Sequence, residues 1–196
     1  MTFHIEEITL GEDDCANEWA DEHIEGLQKV GGGLYARAYT SDATPYVVKI
    51  FRMNDGGYLS YLHVMSELGI KNPHLPVIHR VILHRKPNEP YQSIGVVYME
   101  KLTPGTLSEC NDWGQPIGER SEHEKVTTRL SNAAWELPNK GIPEGTEHFE
   151  AEVLTLISLA CEHGQKFHPD ADVCYDLHTG NIMWRGNTWV VTDPLS

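Results

Sequence analysis

Residues 46–51 read Tyr-Val-Val-Lys-Ile-Phe, and they set one charge in a strand that is apolar on either side of it. Val47, Val48 and Ile50 leave this strand no polar face, so it belongs against a core. Lys49 must then snorkel along its own methylenes to water or point at an anion. A lysine guarding an exposed sheet edge is the plainer alternative. Which of the two holds depends on what the rest of the chain builds around the strand.

Residues 2–10 alternate as a short strand. Residues 13–30 read as an acidic amphipathic helix, capped by Asp13 or Asp14, with Trp19, His23, Ile24 and Leu27 at helical spacing and its end near the glycines. Residues 34–40 and 46–53 follow as strands joined by the turn-rich 41–45. Residues 56–68 carry Tyr58, Leu59, Leu62, Met65 and Leu68 as a helical stripe closed by Gly69. Two further β candidates, 74–84 and 92–102, flank the loop 85–90. Pro, Gly, Ser and Asn dominate from 103 to about 120 and mark a hinge. Helices over roughly 120–137 and 147–166, split by 138–145, precede a β pair turning at 185–188. The order predicts an α+β fold of two lobes: an antiparallel β N-lobe with one main helix, then a truncated, mainly helical C-lobe. The expected divisions are an N-terminal extension at 1–28, an N-lobe at 29–102 and a C-lobe at 103–196, in one domain overall.

A chain of 196 residues, 40% hydrophobic, has material for one substantial core or two small lobes. No apolar run is long enough to span a bilayer, so no membrane role is expected, and the first residues lack the basic-then-apolar order of a secretory signal. Cys15, Cys110, Cys161 and Cys174 are scattered, which fits reduced thiols in a cytoplasm. A net charge of −14 argues against direct nucleic-acid binding, because phosphate contacts need a basic surface. It suits a plain soluble surface, or an acidic face that meets a basic partner.

Around Lys49 the chemistry-bearing residues fall in an order. Gly31, Gly32 and Gly33 precede it, and three glycines let backbone amides approach a phosphate, although a flexible turn reads as well from them alone. Asp176 and Asn181 are separated by five, and Asp193 follows a short hairpin. Asp and Asn are common in turns. In this order, however, they match the apparatus of phosphoryl transfer: glycines and Lys49 on ATP phosphates, Asp176 orienting a hydroxyl, Asn181 and Asp193 on Mg2+, with Mn2+ as a substitute. His178 stands where a charged donor near the transferred phosphate is usual. Tyr175 replaces the usual arginine before the catalytic Asp, and Pro194 follows Asp193, fixing φ where regulated kinases flip the backbone. Glu67, the acid of the 56–68 helix, is the candidate partner of Lys49 or a solvated surface group. Backbone groups of Glu100 and Leu102 are the expected adenine contacts. Cys161, His163 and His168 match no zinc spacing.

The run Tyr-Asp-Leu-His-Thr-Gly-Asn-Ile-Met-Trp at 175–184, with Val-Val-Thr-Asp-Pro-Leu-Ser at 190–196, resembles the early serine/threonine protein kinase of T7-like bacteriophages. The glycine run, the Val-Val-Lys-Ile strand and the helix beginning Asp55-Gly56-Gly57 extend the likeness over about residues 27–196. It implies a minimal bilobal protein-kinase-like fold, phosphorylation of host bacterial proteins on Ser/Thr, and a place in the cytoplasm of the infected cell. The basic C-terminal extension that the family links to host transcription shut-off has no counterpart here. With Ser196 last, activity without activation-loop control is expected, and a second copy is expected to cover apolar area on the short helical lobe. The Asp176–Asn181 loop also resembles aminoglycoside and choline phosphotransferases, so a small-molecule substrate is the alternative. A non-catalytic acidic inhibitor of a host protein is the rival from another class.

Overall fold

Runs of β-branched and aromatic residues build the central strands of the larger sheet. The computed structural model describes residues 3–10, 24–86, 88, 92–109, 118–169 and 172–196. Six strands, β1 (Ile5–Thr9), β2 (Gln28–Gly32), β3 (Ala36–Thr40), β4 (Tyr46–Arg52), β5 (Ile78–Arg85) and β6 (Ile94–Glu100), lie in the order β1-β5-β6-β4-β3-β2. All neighbours are antiparallel except β1, which runs parallel to β5. Two exposed ion pairs tie it there, Arg80–Glu6 at 2.9 Å and Arg85–Glu7 at 2.7 Å. Residues 5–9 thus form the edge of the N-lobe sheet. β4 has a strand on each side, which removes the edge reading of Lys49.

Most of the expected acidic helix, residues 11–23, lies outside the described residues. Its expected end near the glycines is corrected: Gly26 turns with φ 75°, and Gln28–Gly32 is a strand paired with β3. Gly, Lys and Gln have little preference for strands, so pairing and not propensity places β2.

Helix α1 (Gly56–Leu68) keeps its expected bounds. The Asp55 side chain accepts from Tyr58 N at its start, and Gly69 ends it in the left-handed region at φ 58°. The apolar stripe understates its burial, because Ser60, Tyr61 and Val64 are buried too while Leu68 is exposed. A helix buried almost all round must be packed on more than one side. α1 lies among the sheet, α3 (His148–Phe167) and the C-terminal segment. A methyl on Gly164 of α3 would stand 2.9 Å from Val173 and 3.2 Å from Ser60 Oγ, and one on Gly57 would stand 2.9 Å from the Leu195 backbone. One hydrophobic core therefore joins Val81 and Val97 of the sheet, Leu59 and Leu62 of α1, Leu130 of α2 (Glu122–Lys140), Leu154 and Ile157 of α3, and Ile182 and Val191 of the final hairpin.

α2 starts in a capping box between Ser121 and Glu124 and runs through Pro138 to stop at Gly141, where φ is 71°. The stop comes later than the proline suggests because a proline in the last turn forfeits one backbone bond without blocking the preceding ones. A two-residue strand β7 (Thr103–Pro104) pairs with β8 (Ile182–Arg185), which pairs with β9 (Thr188–Val191). The result is the expected α+β architecture, a β-sheet part with one main helix followed by a mainly helical part, the two sharing one core.

Gly95 is a sensitive point in this core. A methyl there would lie 2.2 Å from Cε1 and Cζ of Phe51, a ring that is 1% exposed and has no room to retreat. Gly95→Ala is expected to destabilise the fold by about 2–3 kcal/mol through overpacking, read as a lower urea midpoint.

Candidate active site

The register of the sheet sets the first side chain. Gly31 lies opposite Ala38, Ala38 opposite Lys49, and Lys49 opposite Val97. Residues directly opposite share a face, so on one side Lys49 has only a glycine and an alanine beside it. That side of the sheet is bare enough for another group to lie against it. Gly31 and Gly32 are in β2, and Gly33 N donates to Ala36 O at 2.9 Å, closing a hairpin with Leu34 and Tyr35 at its tip. None of the three glycines has positive φ.

On the same face, Lys49 Nζ donates to Asp193 Oδ2 at 2.6 Å. The pair joins residues 144 apart in the chain, and the two side chains are 11% and 21% exposed. Burial pushes the Asp193 carboxyl up, against the opposing pull of the Lys49 ammonium. Its other oxygen, Oδ1, is buried with no hydrogen-bond partner.

The loop after α3 supplies the remaining groups. Its ends are fixed by the last residues of the chain: Asp176 N donates to Pro194 O at 2.8 Å, and Cys174 and Ser196 exchange backbone bonds. Asn181 Nδ2 donates to Asp176 O at 2.8 Å and lies 3.4 Å from Asp176 Oδ2. Thr192 N returns to Asn181 O at 2.8 Å, which sets Asn181 beside the segment carrying Asp193. The exposed His178 accepts from Gly180 N on Nδ1, so its proton sits on Nε2, 3.8 Å from Asp176 Oδ2.

The orphaned Asp193 Oδ1 and the amide oxygen of Asn181, whose Nδ2 is committed to Asp176, are the oxygens left for a hard cation. One carboxylate and one amide suit Mg2+, which keeps several ligands from water and phosphate. Among the described residues, no three of His, Cys, Asp or Glu stand together as a metal cage. Cys161 leans on Val173 O, and His163 Nδ1 pairs with Ser60 Oγ.

Other sequence candidates lie apart from Lys49. Glu67 is exposed in the last turn of α1. It follows Tyr58 by nine residues, which at about 100° per residue puts it on the opposite face of the helix. The Lys49–Glu67 pair is not formed, and Asp193 takes the lysine instead. Glu100 gives its amide to Val77 O at 2.9 Å and accepts Val77 N on Oε1 at 2.7 Å. Leu102 sits half-buried between β6 and β7.

Four residues of the site neighbourhood were not singled out from sequence. Tyr58 lies under the lysine, with Lys49 Nζ 3.3 Å from its ring centroid. Asp55 is buried beside this group. Arg185 donates from Nε to Glu100 Oε2 at 2.8 Å and from Nη2 to Glu100 Oε1, while reaching Pro73 O and Leu75 O. It clamps the hinge to the hairpin. His123, buried on α2, accepts from Trp184 Nε1 on Nδ1 and so donates from Nε2 to Thr179 O at 3.0 Å, bracing the 176–181 loop. Only Asp55 had a readable signal, an Asp just before an apolar helical run.

Asp55 carries a pH prediction. Its pKa is pushed up to about 6, first by burial and then by the neighbouring Asp193 carboxylate. Between the unfolded value and about 6 the folded state holds the proton more tightly. Stability is therefore fullest below the unfolded pKa and falls as pH rises through 6, by on the order of 2–3 kcal/mol. Asp55→Asn keeps the cap acceptor and removes the charge. The variant is expected to flatten this decline and to exceed wild type in urea midpoint at pH 7.5.

A cleft of about 580 Å³ elsewhere in the C-lobe is lined by Arg129, Glu136, Glu144, Glu147, Glu150 and Trp189 among others, and by none of Lys49, Asp176, Asn181 or Asp193. Among the described residues no helix is long and apolar enough to cross a membrane.

No protein-family model matches the sequence, and no curated protein matches it. Among solved structures, the chain is similar to the aminoglycoside phosphotransferase APH(4)-Ia, at 15% identity and a TM-score of 0.29 over 62% of this chain. The match spans 36% of that enzyme's length.

Proposed function

We propose that the chain is a phage-type serine/threonine protein kinase that moves the γ-phosphoryl group of ATP to hydroxyls of host bacterial proteins inside the infected cell. The observation that supports this most strongly is the Lys49–Asp193 ion pair at 2.6 Å, with the free Asp193 Oδ1 and the Asp176–Asn181 contact in the same cluster. Four residues from three separate segments converge there.

In this reading Lys49 grips the α- and β-phosphates, on the side of the sheet left bare by Gly31 and Ala38. The β2–β3 hairpin with Gly31, Gly32 and Gly33 covers them, and the hinge at Glu100 and Leu102 receives the base. Asp176, held by backbone bonds to Pro194 and His178, orients the substrate hydroxyl and takes its proton as the hydroxyl oxygen bonds to the γ-phosphorus and the bond to the β–γ bridging oxygen breaks, releasing ADP. His178 directs its Nε2 proton toward the same space. Asn181 and Asp193 would hold Mg2+, which when bound neutralises charge on the β- and γ-phosphates. Rate then comes from positioning and fixed charge, with no covalent step on the protein.

Phosphoproteomics of a bacterial host expressing wild type beside Asp176→Ala tests the protein-substrate claim. New Ser/Thr phosphosites are expected with wild type alone. Identical phosphoproteomes would overturn it.

A further inference from the structure

α1 has one acid, Glu67, and it faces away from Lys49. The helix offers the lysine an aromatic face instead. We propose that Tyr58 is the positioning residue for Lys49, seating the ammonium over its ring while Asp193 holds it from the side. This rests on the reading of Lys49 as the phosphate-gripping residue.

The ring is built to stay in place. Tyr58 is fully buried, Phe51 meets it edge-on at 5.0 Å and 87°, and Tyr61 lies 6.2 Å away. Its backbone is fixed by the Asp55 cap, with Tyr58 N donating to Asp55 Oδ1 at 3.1 Å. The hydroxyl is buried with no hydrogen-bond partner, so no hydroxyl bond anchors this side chain. The part in use is the ring face, with Nζ at 3.3 Å from the centroid, well inside the range of a cation–π contact.

The choice of partner matters for chemistry. A helix carboxylate would orient the lysine but also neutralise it and compete with phosphate for its protons. A ring orients the ammonium through its quadrupole without occupying its N–H donors, so beyond the one bond to Asp193 they are left to meet an anion. Asp193, which must also face a cation, is then relieved of being the sole anchor.

The test uses the full chain with 13C-labelled lysine. A methylene held above a ring is shielded, so the Lys49 Hε resonance is expected upfield of the other lysines in wild type and in Tyr58→Phe. In Tyr58→Met it is expected back among them. In parallel, calorimetry and kinetics should show Mg-ATP Kd and KM raised about tenfold in Tyr58→Met, with kcat changed less, and restored by Tyr58→Phe. A Lys49 resonance inside the common envelope in wild type overturns the seat. So does a Tyr58→Met protein that binds Mg-ATP like wild type, or a Tyr58→Phe protein that loses as much. If Tyr58→Met does not fold, the resonance in wild type and Tyr58→Phe decides: shifted in both supports the seat, unshifted in either overturns it. If wild type binds no Mg-ATP, the kinase reading fails, and the seat stands or falls on the resonance alone.

Discussion

Asp176→Ala is expected to lower phosphoryl transfer by about 10³-fold while leaving the fold and nucleotide affinity near wild type. The bonds that hold this position are backbone bonds. Asp176 N reaches Pro194 O, and its carbonyl accepts from His178 N and Asn181 Nδ2. All three survive removal of the carboxylate. What goes is a 40%-exposed side chain at the mouth of the site, with a 3.4 Å contact to Asn181 and a 3.8 Å approach to His178 to lose. Initial rates beside a thermal melt separate the two effects. A rate within tenfold of wild type would remove Asp176 from the mechanism.

Asp193→Leu should act on stability and activity together. It leaves Lys49, whose side chain is only 11% exposed, without its carboxylate. Stripping one partner from a buried pair costs up to about 3–5 kcal/mol, and partial solvent access here reduces the expected cost to about 2–3 kcal/mol. Lys49→Met should cost a similar amount, because Asp193 would then be buried unpaired. The double variant Lys49→Met/Asp193→Leu has no stranded charge and is expected to be more stable than either single variant. It should nevertheless transfer no phosphoryl group, since the proposed grip on phosphate and the proposed cation ligand are both gone. Urea midpoints of the four proteins measure the coupling. Additive losses would mean that the 2.6 Å pair contributes nothing to the fold.

These expectations depend on contacts that differ in how far the sequence foretold them. α1 was legible to the residue, because an Asp–Gly–Gly start, a period of 3.6 and a closing glycine all agree. The strand around Lys49 was legible as buried, and its central place then excluded an edge role. β2 was not legible, since Gln28, Lys29 and two glycines carry no strand signal and only pairing with β3 makes them one. The parallel β1 was legible as a strand, but not its neighbour, because side-chain alternation does not encode which strand lies alongside.

At the site, Lys49, Asp176, Asn181 and Asp193 stand out in the sequence as candidates because each residue type suits a distinct piece of the proposed chemistry. The partner of Lys49 was not. Glu67 was the acid of the right helix on the wrong face, a matter of helical phase that a nine-residue offset from Tyr58 decides. Tyr58 itself reads as one more apolar residue of the stripe, and an aromatic at that spacing usually is core. Arg185 and His123 were silent for another reason. Each ties segments 50 or more residues apart, Arg185 to Glu100 and His123 to Thr179, and no local pattern records such a contact.

The most direct test of the central claim is transfer of label from γ-32P-ATP by the purified chain, with Mg2+ or Mn2+ and a bacterial lysate as acceptor. The account predicts label on serine and threonine of proteins, absent with Lys49→Ala and Asp176→Ala. No transfer by wild type with either metal, together with tight binding to a host protein, would contradict it in favour of an acidic inhibitor. Label confined to a small metabolite would contradict it in favour of a small-molecule phosphotransferase.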